Sequence, residues 1–242
     1  FGGTEASDTF DTGTRAAARG GFTTVACMPN TRPVIDNDDT LRQVYDIAAR
    51  EASVRVLSYA AITVGQQGRE LTDFAALKAA GAAGFTDDGV GVQSAGMMRD
   101  AMALAASLDL PVIAHCEDMS LVDKGAAVTD GAFARRYGLK GIPNESESVQ
   151  VARDVLLAEA TGVHYHVCHV STEQSVRVIR MAKQAGVRVT AEVCPHHLLL
   201  SDEDIPGPDA NWKMNPPLRS PRDVEAVIEG LEDGTIDIIV TD

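Results

Sequence analysis

The chain has 242 residues, of which 45% are hydrophobic and 23% are charged, and its formal net charge at pH 7 is −14. This length and composition suit one large α/β domain with a sizeable core. The acidic balance argues against nucleic acid and membrane surfaces as partners, since both attract basic proteins. No apolar run reaches the length of about 18 residues that a membrane-spanning helix needs, and no signal peptide is recognisable.

The four cysteines show no C-x-x-C spacing, and each lies in or just after an apolar run: Cys27, Cys116, Cys168 and Cys194. Free cysteine is one of the most frequently buried residue types, and disulfides are rare in reducing compartments. We therefore predict buried, reduced thiols and a cytoplasmic location.

Short β-branched runs alternate with helix-like segments along the chain. The predicted strands are 22–28, 54–62, 83–86, 111–115, 163–170, 188–193 and 236–241. The predicted helices are 7–19, 38–52, 73–80, 94–107, one that starts at about 145, 173–185 and 222–231. Such alternation is typical of βα units with a parallel sheet.

Seven strands with a leading helix predict a (β/α)8 barrel of the TIM type that is truncated, without strand 1 and without the elements after strand 8. We expect residues 1–242 to form a single barrel domain, incomplete at both ends. The alternative is a doubly wound open sheet, although no G-x-G-x-x-G loop follows a strand. Asn144 and Glu147 predict a capping box at a helix start, and segment 117–143 is a candidate lid loop.

Candidate metal ligands follow four of the predicted strands. Asp87 and Asp88 come after the third strand, His115 ends the fourth, His169 lies at the end of the fifth and Asp242 directly follows the last. Because the active site of an α/β barrel forms at the carboxyl ends of its strands, these side chains should converge. Imidazole and carboxylate ligands suit Zn²⁺ or a similar divalent ion.

The alternation of side-chain directions along a strand helps to decide which histidines and cysteines can be metal ligands. If His169 points into the barrel, Tyr165 and Val167 share its face, whereas Cys168 faces the helices. The other histidines are then interpreted as structural groups in hydrogen bonds, turns or a helix entry: His164, His166, His196 and His197. A purely structural cysteine–histidine zinc site is disfavoured by the same argument.

Asp242 is the best candidate for a general base, since a carboxylate beside a metal-activated water can take its proton. Neighbouring carboxylates in a chain point apart, so at most one of Asp87 and Asp88 should bridge two ions. Asn30 and Asn215 are neutral donors expected near the barrel mouth, although each also suits a turn beside proline.

Several segments together resemble the bacterial dihydroorotases of the amidohydrolase superfamily, nearly from end to end. The segments are GTRAAARGGFTTVACMPNTRPV, FTDDGVGVQ, IAHCED, GIPNESESVQVARD, HVCHVSTEQSVRVIR, EVCPHHLLL and KMNPPLRS. The resemblance implies the reversible cyclisation of N-carbamoyl-L-aspartate to L-dihydroorotate in pyrimidine biosynthesis, by a metal-activated hydroxide.

The resemblance also implies a zinc site of one or two ions. Asp88 would bridge the ions, His115 and His169 would hold the second, and Asp242 would bind the first and shuttle the proton. Relatives that hydrolyse hydantoin or dihydropyrimidine typically have a carboxylated lysine at the position of Asp88. A hydantoinase-type enzyme is therefore the alternative within the superfamily, and a non-catalytic scaffold that binds a partner protein is the alternative from another class.

For the substrate, the resemblance implies that Asn30 binds a carboxylate and that Asn215 lies against the pyrimidine ring. It implies a homodimer or an association with aspartate transcarbamoylase. The family's H-x-H motif, followed by L-R, does not occur in these 242 residues. We therefore expect this stretch of chain by itself to hold metal poorly and to be inactive.

Overall fold

The structure is a computed structural model that describes residues 9–242. The chain divides into two compact units, the first ending at Ile113 and the second covering Ala114–Asp242. The first helix runs over Phe10–Arg19, so the beginning of the predicted helix 7–19 lies outside the described residues. Between residues 9 and 242, no helix is both long and apolar enough to cross a membrane.

The first unit alternates helices with short parallel strands. Its elements are α1 (Phe10–Arg19), β1 (Thr24–Cys27), α2 (Asp38–Glu51), β2 (Arg55–Ser58), α3 (Phe74–Ala79), α4 (Ala95–Ser107) and the start of β3 (Val112–Ala114). Strands β1 and β2 pair in parallel, with Thr24 opposite Arg55. Phe85 forms parallel bridges to Ala60 and Val112, and backbone hydrogen bonds join segment 83–86 to the flanking segments on both sides.

Side-chain caps explain where the helices of the first unit begin. Asn37, Asp73 and Ser94 each accept a hydrogen bond from a backbone N–H three residues further on, at the starts of α2, α3 and α4. Such caps satisfy backbone donors that a helix leaves unpaired in its first turn. The helix starts predicted from sequence at 38, 73 and 94 are therefore confirmed to within a residue.

The second unit continues the alternation. Its elements are β4 (Val128–Thr129), α5 (Ala132–Tyr137), β5 (Gly141–Ile142), α6 (Asn144–Thr161), β6 (Tyr165–Val167), α7 (Glu173–Gln184), β7 (Val189–Val193), α8 (Pro195–Leu199), α9 (Pro221–Glu232) and β8 (Ile238–Ile239). Strands β6, β7 and β8 are consecutive parallel neighbours. Tyr165 lies opposite Val189, and Glu192 lies opposite Ile238.

Segment 117–143 was predicted as a lid loop but carries its own secondary structure. Strands β4 and β5 pair in parallel, with Val128 opposite Gly141, and α5 connects them. Val128, Phe133 and Leu218 form a small hydrophobic cluster. The alternation of apolar residues here is too short to be recognised from the sequence, so the prediction of seven strands missed this pair.

The predicted capping box at the start of α6 is wrong. Pro143 occupies the cap position without a side-chain hydrogen bond, and Asn144 is already helical. The Glu147 carboxylate is buried and accepts hydrogen bonds from Ser171 and Thr172 instead. The Glu147 carboxylate therefore binds donors that are distant in sequence and does not cap the helix.

Candidate metal centre

Two buried histidines face each other in the second unit. His115 follows β3 directly, His169 lies two residues beyond β6, and each is 4% exposed. Nδ1 of His115 lies 3.0 Å from Nε2 of His169. Two nitrogens on one tetrahedral zinc ion would be separated by roughly 3.3 Å, given Zn–N bonds of about 2.0–2.1 Å. The pair therefore fits a divalent ion after a slight opening.

The burial of His169 and the hydrogen bonding of His115 suit metal binding. Burial lowers the pKa of His169 well below its ordinary value, and the charge of His115 adds to the shift. Nε2 of His115 lies 3.4 Å from an oxygen of Glu117. Since a carboxylate only accepts hydrogen bonds, this contact places the His115 proton on Nε2 and leaves a lone pair on Nδ1, the atom that faces His169.

Glu117 is a site residue that the sequence analysis missed. The hydrogen bond with His115 lowers the pKa of its carboxyl group. The side-chain amide of Asn215 donates to the same oxygen over 3.1 Å. A carboxylate behind a metal-bound imidazole is the usual partner that fixes tautomer and ring orientation. Its position two residues after His115 was the available signal.

Strand alternation did not predict the side-chain directions around His169. The Tyr165 hydroxyl donates to Asp154 of α6, so Tyr165 faces the helix and not the ligand side. His166 instead contacts Thr190 and Glu192 on the neighbouring strand. His169 has a φ of 33° and lies beyond the end of the strand, where alternation no longer applies.

His164 and His166, which precede His169 in the chain, have hydrogen-bonded side chains, as predicted. His164 Nε2 lies 2.9 Å from the Thr190 hydroxyl. His166 is 2.7 Å from the same hydroxyl through Nδ1 and 2.9 Å from Glu192 through Nε2. Both nitrogens of His166 are therefore engaged within the protein.

A buried carboxylate holds the turn that presents His169. Glu147 of α6 accepts hydrogen bonds from the backbone N–H groups of Ser171 and Thr172 over 3.1 and 3.2 Å. It also accepts bonds from both hydroxyl groups. All four donors lie two or three residues beyond His169, which has the positive φ that only a well-determined turn maintains in a residue other than glycine.

Arg219 extends this network. It is 2% exposed, and its guanidinium donates to the Ser171 hydroxyl, to the carbonyl of Ile142 and to the Thr129 hydroxyl. Burial lowers the pKa of Arg219, and the negative charge of Glu147 opposes that shift. The β4–β5 pair and the His169 turn are thus joined through one buried cation.

Asp242 is the last described residue and lies within electrostatic reach of His115. Desolvation raises the pKa of its carboxyl group, Glu192 raises it further, and His115 and His196 oppose the shift. A carboxylate with a raised pKa accepts protons more readily near neutral pH.

In the first unit, the structure separates the roles of the two adjacent aspartates. Asp87 is 3% exposed and accepts bonds from the backbone N–H groups of Ile62 and Thr63. Asp88 is more exposed and accepts a 2.9 Å hydrogen bond from the Asn30 side chain. Asp87 therefore anchors its own loop, whereas Asp88 and Asn30, both predicted site residues, are neighbours.

Solved structures with the same fold define the class of protein. The chain matches an L-hydantoinase (dihydropyrimidinase) from Arthrobacter aurescens with a TM-score of 0.82 and 25% identity, covering 97% of this chain and 53% of that one. A D-hydantoinase from a Bacillus sp. AR9 gives a TM-score of 0.81 at 22% identity, covering 100% and 55%. The predicted fold class, an α/β barrel, is confirmed.

Sequence comparisons narrow the class to a family. The dihydro-orotase-like family model matches residues 1–175. Two relatives named dihydroorotase, from Geobacillus sp. (strain WCH70) and Bacillus caldolyticus, are 69% and 67% identical over 99% of the chain. The chain belongs to the dihydro-orotase-like family. It spans about half the length of these curated relatives, 56% in both cases.

Proposed function

We propose that the protein is a dihydroorotase, which interconverts N-carbamoyl-L-aspartate and L-dihydroorotate in pyrimidine biosynthesis. The observation that carries the proposal is the buried His115–His169 pair, in a chain that is 69% identical to a relative of that name. The solved hydantoinases are far less similar, at 25% identity or below for the two compared above. The presence of Asp88, where a lysine would be expected in a hydantoinase, supports the same choice.

The proposed cofactor is zinc, one or two ions per chain. His115 through Nδ1 and His169 through Nε2 would hold it together with Asp88 and Asp242, which supply oxygen ligands. A bound divalent ion supplies Lewis acidity toward the amide carbonyl. The fit rests on two buried imidazoles whose Nδ1 and Nε2 atoms face each other at a distance close to that expected on one zinc ion.

In the proposed mechanism the protein residues bind the substrate and move a proton. During hydrolysis Asp242 takes a proton from the attacking water and delivers it to the departing amide nitrogen, and during cyclisation both transfers run in reverse, as its raised pKa favours. Asn30 binds the substrate carboxylate, and Asn215 contacts the ring. Glu117 accepts hydrogen bonds from both His115, a proposed metal ligand, and Asn215, a proposed substrate contact, and so connects these two residues.

The remaining proposals concern the molecule as a whole. Residues 1–242 belong to one metal-dependent hydrolase barrel, located in the cytoplasm. The protein forms a homodimer or associates with aspartate transcarbamoylase. Size-exclusion chromatography with light scattering, with and without the transcarbamoylase, tests the assembly.

The first experiment measures zinc content and dihydroorotate hydrolysis of the full-length protein, its Asp242→Asn variant and residues 1–242 alone. We expect bound zinc and turnover in the full-length protein, and a loss of rate of at least about 100-fold in Asp242→Asn with an unchanged fold. Residues 1–242 should show weak metal binding and little turnover, because the H-x-H motif is not among them. A full-length protein without metal or activity on dihydroorotate and hydantoins would instead favour a non-catalytic scaffold.

A further inference from the structure

A second group of metal-binding side chains follows β7. Cys194, His196 and His197 lie in the segment Cys-Pro-His-His, at the start of the short helix α8. One ligand atom from each residue lies within 4.8 Å of the others. Cys194 is fully buried, and His197 is 3% exposed. The group is therefore compact and largely shielded from water.

The tautomer of His197 leaves one of its nitrogens available. Nε2 lies 3.1 Å from the carbonyl oxygen of Pro216. Since a carbonyl oxygen only accepts hydrogen bonds, Nε2 carries the proton and Nδ1 carries the lone pair. Nδ1 is buried and has no hydrogen-bond partner among the described residues. A buried polar atom of this kind requires an explanation, because leaving it unpaired costs about 1–3 kcal/mol.

The ionisation states also suit a metal ligand set. Burial lowers the pKa of His197 to about 3 and also lowers that of His196, so both rings are neutral at pH 7. Burial raises the pKa of Cys194 to about 12. The thiol therefore keeps its proton until a metal displaces it, as coordinating thiols do.

We propose that Cys194, His196 and His197 form a zinc site separate from the His115–His169 pair. Thiolate and imidazole are both ordinary zinc ligands, and the Pro216 carbonyl behind His197 is the outer partner that orients such a ligand. On binding, the S–H bond of Cys194 breaks, its proton passes to the solvent, and a Zn–S bond forms. The inference uses residues that the proposed dihydroorotase mechanism does not need.

A neighbouring group shows why this cluster is the better candidate. His166, Cys168 and Glu192 also lie within metal-binding distance of one another. Both nitrogens of His166, however, already have partners in Thr190 and Glu192. That group is an ordinary hydrogen-bonded set, whereas His197 retains a buried lone pair.

Cobalt titration of the full-length protein tests the proposal, because a cobalt–thiolate bond gives a near-ultraviolet charge-transfer band that imidazole and carboxylate ligands do not. We expect the wild-type protein to develop this band as one equivalent of cobalt binds in addition to the ions held at the His115–His169 site, and to release one proton from the thiol. Zinc should abolish the band by competition. The variants Cys194→Ser and Cys194→Ala should lack it. His197→Gln should weaken cobalt binding by at least about tenfold.

Matched variants separate this site from its surroundings. Cys168→Ala removes another buried thiol and should keep the band, and His115→Asn should keep it while impairing dihydroorotate hydrolysis. A saturated wild-type protein without the band, or a band that persists in Cys194→Ser, would overturn the proposal. If hydrolysis is absent while the band behaves as expected, the proposed function fails and the zinc site stands.

Discussion

The turns that follow β6 and β7 differ in how their polar groups are satisfied, although the two strands are parallel neighbours. After β6, the backbone and hydroxyl groups of Ser171 and Thr172 all bond to Glu147. After β7, Cys194 gives α8 no side-chain cap, and Nδ1 of His197 has no partner among residues 9–242. The first turn is fixed by the protein itself, whereas the second retains the capacity to bind a further ligand.

This difference indicates two ways of holding a buried histidine in a defined orientation. His169 has an unusual backbone conformation, and a buried carboxylate maintains it. His197 lies in an ordinary helical turn with one ring nitrogen oriented by the Pro216 carbonyl. A ligand on a fixed turn is already in place before the ion arrives, which reduces the cost of binding.

The largest loss of stability and zinc affinity should come from Glu147→Ala, which removes the carboxylate that binds the turn after β6. Two backbone donors would lose their acceptor, and the buried Arg219 would lose the nearby negative charge that favours its charged form, so the free energy of unfolding should fall by about 3–5 kcal/mol. Zinc affinity should fall by about 10–100-fold, because the turn of His169 is no longer held. Urea unfolding and competition with a zinc chelator measure the two effects.

Two other variants separate positioning from simple loss of stability. Glu147→Gln keeps an acceptor oxygen for both backbone donors and should restore much of the zinc affinity. Asp223→Asn is the matched control, since Asp223 is also buried and accepts a bond from the Glu173 N–H at the start of α7. It should lower stability and leave zinc affinity unchanged. Equal losses of affinity in Glu147→Ala and Asp223→Asn would show that Glu147 has no specific positioning role.

An intermediate effect should appear in the pH dependence of stability through His197 in the second turn. Its pKa in the folded protein is lowered to about 3, below the ordinary value of 6.5. Between these values the unfolded chain binds a proton that the folded chain does not. The free energy of unfolding should therefore fall as pH falls through this window, by at most about 1.4 kcal/mol for each pH unit.

Urea unfolding of the metal-free protein from pH 7 to pH 4 measures this slope. His197→Gln keeps a donor for the Pro216 carbonyl but cannot titrate, so its slope should be shallower than that of the wild type. His169 contributes to the slope in both proteins, and the difference between them therefore isolates His197. Identical slopes would mean that His197 titrates normally in the folded state.

The smallest effect should come from Thr172→Val, which removes one hydroxyl from the first turn at nearly constant volume. Thr172 caps α7 by accepting a bond from the Ser175 N–H, and it also bonds to Glu147. We expect a loss of about 1 kcal/mol in the free energy of unfolding, measured by thermal or urea unfolding. Thr172→Ser keeps the hydroxyl and should cost less. A larger loss in the serine variant would mean that packing, and not the cap, is the main contribution.

The sequence by itself determined the alternation of strands and helices, most helix starts and the ligand candidates at strand ends. These features are local, since strands require short β-branched runs and helix starts require capping side chains such as Asn37 and Ser94. Motif resemblance further indicated the family and singled out Asp88 rather than Asp87. Asp87 accepts hydrogen bonds from the backbone of Ile62 and Thr63, while the role of Asp88 as a metal ligand stays a prediction.

Only the tertiary structure decided which atoms of the site are available. The donors to Glu147 lie 24 and 25 residues away in the chain, and the partner of His197 lies 19 residues away, so no local pattern reports them. Strand alternation also stops where the strand ends, which is why the direction of His169 could not be derived from Tyr165. Side-chain roles here depend on hydrogen bonds between distant segments, because those bonds fix tautomers and turn geometry in a buried environment.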